Sequence, residues 1–166
     1  MSAVVATQLS GWGRTMPTVA QLVEANSPGQ IAELVQHANS RGVLARGLGR
    51  SYGDAAQSGG ATVIDMTTMN DFTLNSDNMS VTANAGASID DILREIVPRG
   101  FFVPVSAGTR IITVGGAIAA DIHGKNHHRD GSFGAHVTEL TLIDGLGAQH
   151  TLTPKDLKFW ATVGGM

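Results

Sequence analysis

Apolar positions fall in short runs broken by glycine, and two sets repeat at helical spacing. Ile31, Leu34, Val35 and Ala38 follow Ser27-Pro28-Gly29-Gln30, which supplies a cap, a proline at the first helical position and a glutamine three residues after the cap. This predicts a helix over 28–41, closed by Gly42. Ile89, Ile92, Leu93 and Ile96 follow Ser88-Ile89-Asp90-Asp91, a second capping box, and Pro98 with Gly100 ends that helix. Short buried strands are expected at 43–45, 61–66, 101–105 and 137–146, with 149–152 pairing to the last. Residues 71–74 and 79–83 alternate about the turn Asn75-Ser76-Asp77-Asn78, which predicts a hairpin. Thr153-Pro154-Lys155-Asp156 opens a final helix carrying Leu157, Phe159 and Trp160. Residues 1–26, with Gly11-Trp12-Gly13-Arg14 and Pro17, read as irregular. Helices and strands alternate unevenly with hairpins among them, so the expected class is α+β in two small layers, not one doubly wound sheet.

The chain has 166 residues, enough for one domain with a real core. Eleven basic against fourteen acidic residues give a net charge of −3, which argues against a sequence-independent nucleic-acid clamp. The absence of cysteine excludes disulfides, cysteine zinc sites and thiol catalysis in these residues. MSAVVATQLSGWGRT lacks a basic region and a long apolar core, so neither a signal peptide nor a membrane span is expected. The 21 glycines gather in a few loops, and those loops hold the candidate chemistry.

Gly47, Gly49 and Gly53 lie in ARGLGRSYGD, residues 45–54. Glycines let a backbone bend tightly and approach a ligand, and successive N–H groups in such a turn can cradle phosphate oxygens. Arg46, Arg50, Ser51 and Tyr52 add donors. The spacing G-x-G-x-x-x-G misses the dinucleotide fingerprint by one residue, which disfavours a Rossmann unit; a simple turn between strands is the competing reading. Ser106–Arg110 and Thr113–Asp121 form a second stretch of small residues, suited to pressing against a flat ligand or to close helix packing. Gly108–Asp121 is expected to be a loop running into a short helix. In the third, Ile122-His123-Gly124-Lys125-Asn126-His127-His128, no acid-rich set completes a metal site, and none is expected. Lys125 could stabilise an anion and His123 could line a ring; a plain polar loop is the alternative. His37 lies on the polar side of its helix, and His136 and His150 are scattered.

GLGRSYGD, AGT, TVGGAIAADIHGKNHH, SFG and FWATVGG together resemble the decaprenylphosphoryl-β-D-ribose oxidase family of the vanillyl-alcohol oxidase superfamily, over about Leu9 to Gly165. The resemblance implies a two-lobed PCMH-type FAD-binding domain, with one lobe at about 15–70 and a second at about 71–166 that is incomplete, and no substrate domain. It implies that Ala45, Arg46, Gly47, Leu48, Gly49, Arg50, Ser51, Tyr52, Gly53, Asp54 and Ala55 bind the cofactor, with the Arg46–Asp54 loop at the pyrophosphate. Gly108, Thr113, Val114, Gly115, Gly116, Ala120, Asp121, Ile122 and His123 would follow the pyrophosphate and ring system. His123 and Lys125 would be the catalytic pair beside flavin and substrate.

Many relatives hold FAD covalently through a histidine where this chain has Arg50, so non-covalent FAD is implied. The family oxidises the ribose 2-hydroxyl of a polyprenyl-phosphate sugar by hydride transfer to flavin, giving a 2-keto sugar. A partner short-chain reductase then completes epimerisation to the arabinose donor for cell-wall arabinan. The lipid-linked substrate implies a place in the cytoplasm or periplasm, peripheral to the inner membrane. Two residues depart from the family pattern: Ala107 stands where proline is usual, and Met166 where asparagine is common. Two glycines after a helix rarely finish a domain, and family members continue into the rest of the second lobe and a substrate domain, so the resemblance implies an incomplete flavin site without its own turnover. Another sugar or alditol oxidase of the superfamily, or a non-catalytic flavin-binding piece, are the other readings.

Overall fold

β2 (Thr18–Glu24) is the strand on which the first half of the chain is built. It pairs antiparallel with β1 (Val5–Leu9), with Val5 opposite Leu22 and Leu9 opposite Thr18. On its other side it runs parallel to β4 (Thr62–Asp65), which in turn runs parallel to β3 (Val43–Arg46). The strand order is therefore β1-β2-β4-β3. The computed structural model describes residues 4–165, so Met166 lies outside the described residues.

Two strands thus replace the irregular lead-in expected over 1–26. The signal was masked because β2 has a neighbour on each side and buries Ala20 and Val23 on opposite faces, so it lacks a clean alternation. The glycines and proline that suggested a loop do form one, at 10–17, and it joins the two strands.

α1 (Pro28–Gln36) starts as the sequence requires: the Ser27 side chain accepts from the Gln30 N–H, and Gln30 Oε1 accepts from the Asn26 N–H. It ends five residues before the expected position. His37 donates its N–H to the Glu33 carbonyl, and its Nδ1 lies 2.8 Å from that same oxygen. Beyond it, Asn39 and Arg41 turn away to reach the carbonyls of Gly60 and Gly59. Those local partners replace the next helical turn.

The chain divides into a first unit running through Met69 together with Ile143–His150, and a second of Asn70–Leu142 with Thr151 onward. In the first, Leu9, Ala20 and Val63 form the core with Leu22 and Leu44 against them. In the second, α2 (Ile89–Ile96) buries all four of its predicted apolar positions. Ser88 caps it, a 3₁₀ turn at Val97–Arg99 follows, and Gly100 closes it at φ +84°. The hairpin β5 (Phe72–Asn75) and β6 (Ser80–Ala83) packs Phe72, Leu74 and Val81 on this helix.

Residues 101–105 form no strand among the described residues, although Val105 is fully buried. Pro104 has no N–H to give a ladder, and its carbonyl is taken by the Asn126 side chain. The long strand expected at 137–146 shortens to β7 (Leu140–Ile143), because Asp144 turns the chain into β8 (Gln149–Leu152). The helix α3 (Val114–Ala119) is as expected; a four-residue helix, α4 (His127–Asp130), follows it. The last helix, α5 (Leu157–Thr162), begins one residue after Asp156, whose carboxylate accepts from the Thr153 N–H and hydroxyl. Its Phe159 is fully buried beside Leu152 and Val163. No helix among the described residues is long and apolar enough to cross a membrane.

Ile92 is buried in the α2 core of the second unit. Ile92→Ala is expected to lower unfolding stability by about 2–5 kcal/mol in urea melts, and a loss below about 0.5 kcal/mol would show that the α2 core is not what holds this unit.

Candidate functional site

In the first unit the glycine-rich loop leaves β3 at Arg46. The Arg46 guanidinium donates to the carbonyls of Ala56 at 2.5 Å and Ser10 at 2.9 Å. It therefore ties both ends of the loop down, and those donors are spent on the protein's own backbone. Partial burial pulls its pKa below the ordinary value, and the Asp65 carboxylate across the strand pair pushes it back up. Gly49 takes φ +63°, and a Cβ there would collide with the Arg46 guanidinium. The turn thus needs glycine for both conformation and space.

Gly11-Trp12-Gly13 runs alongside the loop. The Trp12 N–H donates to the Ser51 carbonyl at 2.7 Å and the Gly13 N–H to that of Tyr52 at 3.3 Å. A Cβ on Gly11 would strike the Gly53 carbonyl, so the close approach depends on glycine. The Arg50 guanidinium lies 4.3 Å above the Trp12 ring. Ser51–Ala55 are exposed, and a Cβ on Gly53 would meet nothing within 4 Å. Ala45 and Tyr52 are exposed, while Gly47 and Leu48 are half-buried. Sequence reasoning missed the 11–13 segment; its glycine-x-glycine spacing was the available signal.

In the second unit Thr113 is buried, and its hydroxyl caps α3 by accepting from the Gly116 N–H. The N–H groups of Val114 and Gly115 donate to the carbonyls of Ala87 and Ala85, both at 2.8 Å. A Cβ on Gly115 would come within 2.9 Å of the Ala85 methyl. These small residues hold α3 tightly on the Ala85–Ala87 turn. Ala120 caps the helix C-terminus, donating to the Gly116 carbonyl. Asp121 follows at φ +41°, then Ile122 and His123, with His123 bridged to Ser132.

The chain then lines an open cleft of about 630 Å³. His123 and Lys125 face it with Ser106, Ala107, Gly108, Asn126 and His127. The His123 and His127 rings meet edge to face at 5.2 Å, and His127 Nδ1 is 3.1 Å from the Gly124 carbonyl. A Cβ on Gly124 would lie 2.7 Å from the Ser106 carbonyl, so the two walls touch only because this residue is glycine. A Cβ on Gly108 would meet nothing, leaving the cleft open there. Lys125 is exposed and makes no ion pair among the described residues. The sequence singled out His123, Lys125 and Gly108 as site residues; that Ser106, Asn126 and His127, which belong to the same candidate segments, line one cleft with them is shown by the fold.

A second opening of about 450 Å³ runs past Phe102, Pro104, Arg129 and His136. Its polar groups already serve each other. Arg129 holds Asp130, Asn126 joins Asp130 to the Pro104 carbonyl, and His136 Nε2 is 2.7 Å from the Asp130 carbonyl.

Charge-paired carboxylates outside the cleft have lowered pKa values. Arg94 and Arg110 lower Asp90, Arg129 lowers Asp130, and His150 with the N–H groups of Leu146 and Ala148 lowers Asp144. A depressed carboxylate contributes stability above its unfolded pKa of about 4 and loses it as pH falls through the folded value. The unfolding midpoint is expected to hold near neutrality and drop below about pH 4, with a shallower drop in Asp144→Asn; an unchanged slope in that variant would remove Asp144 from the acid response.

A family model described as "FAD binding domain" matches residues 19–153. Decaprenylphosphoryl-beta-D-ribose oxidase of Mycolicibacterium smegmatis is 51% identical over 166 residues, covering 95% of this chain and 36% of that protein. D-lactate dehydrogenase of Anaerostipes hadrus is 26% identical over 140 residues, covering 82% of this chain and 29% of that protein. The chain thus spans about a third of the length of these curated relatives. Among solved structures, cholesterol oxidase from B. sterolicum matches with a TM-score of 0.79 at 22% identity, over 93% of this chain and 33% of that one. That likeness shows the fold alone.

Proposed function

The chain belongs to the FAD binding domain family, and from that premise we propose that it is the cofactor-holding part of an oxidoreductase acting on a polyprenyl-phosphate ribose. Its α+β fold is of the PCMH type. The reading is carried by the cleft in which Gly108, His123 and Lys125 come together, with the Lys125 ammonium unpaired among the described residues. The 51% identity to a decaprenylphosphoryl-beta-D-ribose oxidase supports the substrate class.

The residues present fit FAD in two respects. The exposed backbone of Ser51–Ala55, beside a Gly53 with open space at its Cβ position, offers N–H groups to a pyrophosphate. Gly108 leaves the cleft wall flat where a ring could lie. Bound flavin would supply hydride acceptance, the step no side chain here can perform.

The chain's own residues do the rest in this reading. The Gly47–Asp54 loop grips phosphate oxygens through its backbone. Gly108 and the Ile122–His123 segment border the ring system. Lys125 holds the substrate phosphate or polarises the reacting hydroxyl by its charge, and His123, lining the same cleft, stands beside the ring. Arg50, lodged over Trp12, stands where a covalent relative carries histidine, so the cofactor is held without a covalent bond. The product is the 2-keto sugar, and a short-chain reductase acting next would complete epimerisation toward the arabinose donor. A lipid-linked substrate would bring the protein to the inner-membrane surface.

The purified chain, mixed with FAD and freed of excess, is expected to keep a visible flavin band that denaturation releases. A colourless chain overturns the reading for this protein, and colour that stays with the denatured polypeptide overturns non-covalent binding. Gly53→Val and Gly108→Val are each expected to weaken FAD binding about tenfold or more, an effect of roughly 1.4 kcal/mol. Neither should lower the melting temperature, because nothing packs where the new side chain goes. Lys125→Ala is expected to retain FAD and to lose the spectral response of the bound flavin to a polyprenylphosphoryl ribose.

A further inference from the structure

Asp121 makes a sharp turn two residues before His123. It adopts φ +41°, in the left-handed region that residues other than glycine seldom occupy. Its main chain is held on one side, where the Asp121 N–H donates to the Ile118 carbonyl and the Ile122 N–H to that of Ala117. Its side chain is held on the other. Oδ1 accepts from the Gly134 N–H at 2.8 Å, and Oδ2 accepts from the Ser132 hydroxyl at 2.7 Å. The Phe133 N–H donates to the Ile122 carbonyl at 2.8 Å between those two bonds, and His123 bridges Ser132.

Glycines make room for the carboxylate. A Cβ on Gly134 would press Oδ1 at 3.0 Å, and one on Gly164 would press the Asp121 Cβ at 3.0 Å. No ion pair involves Asp121 among the described residues, so the carboxylate's partners are these two neutral donors.

We infer that Asp121 is a positioning residue: its carboxylate clamps the 121–125 turn to Ser132–Gly134 and thereby sets His123 and Lys125 in the cleft, without touching the cofactor itself. Each oxygen already receives a donor from the protein's own turn, and the residue sits on the helix side of His123. The inference rests on the flavin reading for its functional meaning, while its structural content can be tested with no ligand at all.

Three variants decide it. Asp121→Ala removes both acceptors and is expected to raise hydrogen exchange at the Gly134 and Phe133 amides about tenfold or more, the scale of one lost hydrogen bond. It should also shift the His123 ring resonances and weaken FAD binding by a similar factor. Asp121→Asn keeps an oxygen for the Gly134 N–H and gives Ser132 an amide partner, so it should restore all three readouts. Wild-type exchange and His123 resonances in Asp121→Ala would overturn the inference. So would an Asp121→Asn variant that binds FAD as poorly as the alanine variant while keeping its amides protected, since that would mean the charge meets the cofactor. If wild type binds no FAD, the functional reading falls, and the amide and His123 measurements still decide the clamp. Should Asp121→Ala fail to fold, Ser132→Ala removes one bond only, and unchanged His123 resonances there would equally overturn it.

Discussion

A guanidinium gives the glycine-rich loop its shape. Gly47, Gly49 and Gly53 could support many conformations, and a loop built of them has little reason to choose one. Arg46 chooses it by donating to the carbonyls of Ser10 and Ala56 at once, which joins the loop's far end to the segment before it. Gly49 then bends around that same guanidinium. The cost is that the cation most obviously placed for a phosphate is occupied. Recognition in this loop falls to backbone N–H groups on the exposed Ser51–Ala55 arc, whose geometry the arginine maintains.

The second unit solves the same problem with an anion. Its Gly/Ala-rich stretch is shaped by packing, with Gly115 against Ala85, and by a carboxylate at the helix exit. In both units a charged side chain spends its hydrogen bonds on main chain or hydroxyl groups of its own unit. The flexible residues around it can then be small enough for close approach. Beside these tied segments, the candidate ligand-facing Gly53 and Gly108 keep open space at their Cβ positions.

Legibility in the sequence followed how local each determinant was. The Ser27 and Ser88 caps, the four buried positions of α2 and the β5–β6 hairpin were all readable because each depends on residues within one or two turns. The two N-terminal strands were not, because β2 buries Ala20 and Val23 on opposite faces and one of its two neighbouring strands, β4, comes from about 40 residues later. The run at 101–105 looked like a strand, but Pro104 gives no N–H to a ladder, its carbonyl goes to Asn126, and no strand pairs with the run among the described residues. At the site, residue identities pointed to His123, Lys125 and the glycines. The role of Arg46 as a tie was hidden, because nothing nearby in sequence reveals that Ser10 is within reach.

The return of Ile143–His150 to the first unit has a consequence for how this chain can fold. The Leu146 carbonyl accepts from the Gln36 side chain, 110 residues earlier, and Gly147 lies against Gln36 and the Ala32 carbonyl. Contacts of that sequence separation are costly to form early, since a long loop must close before they repay it. On a ribosome, strands β1 to β4 emerge first yet wait for the β7–β8 tip to be made. The second unit's α2 core is gathered mostly from 72–133, but Leu152, Phe159 and Val163 join that unit only after the return segment is made. Synthesis is therefore interleaved: each half is begun before the other is complete, and the half made first stays open until most of the second has been made.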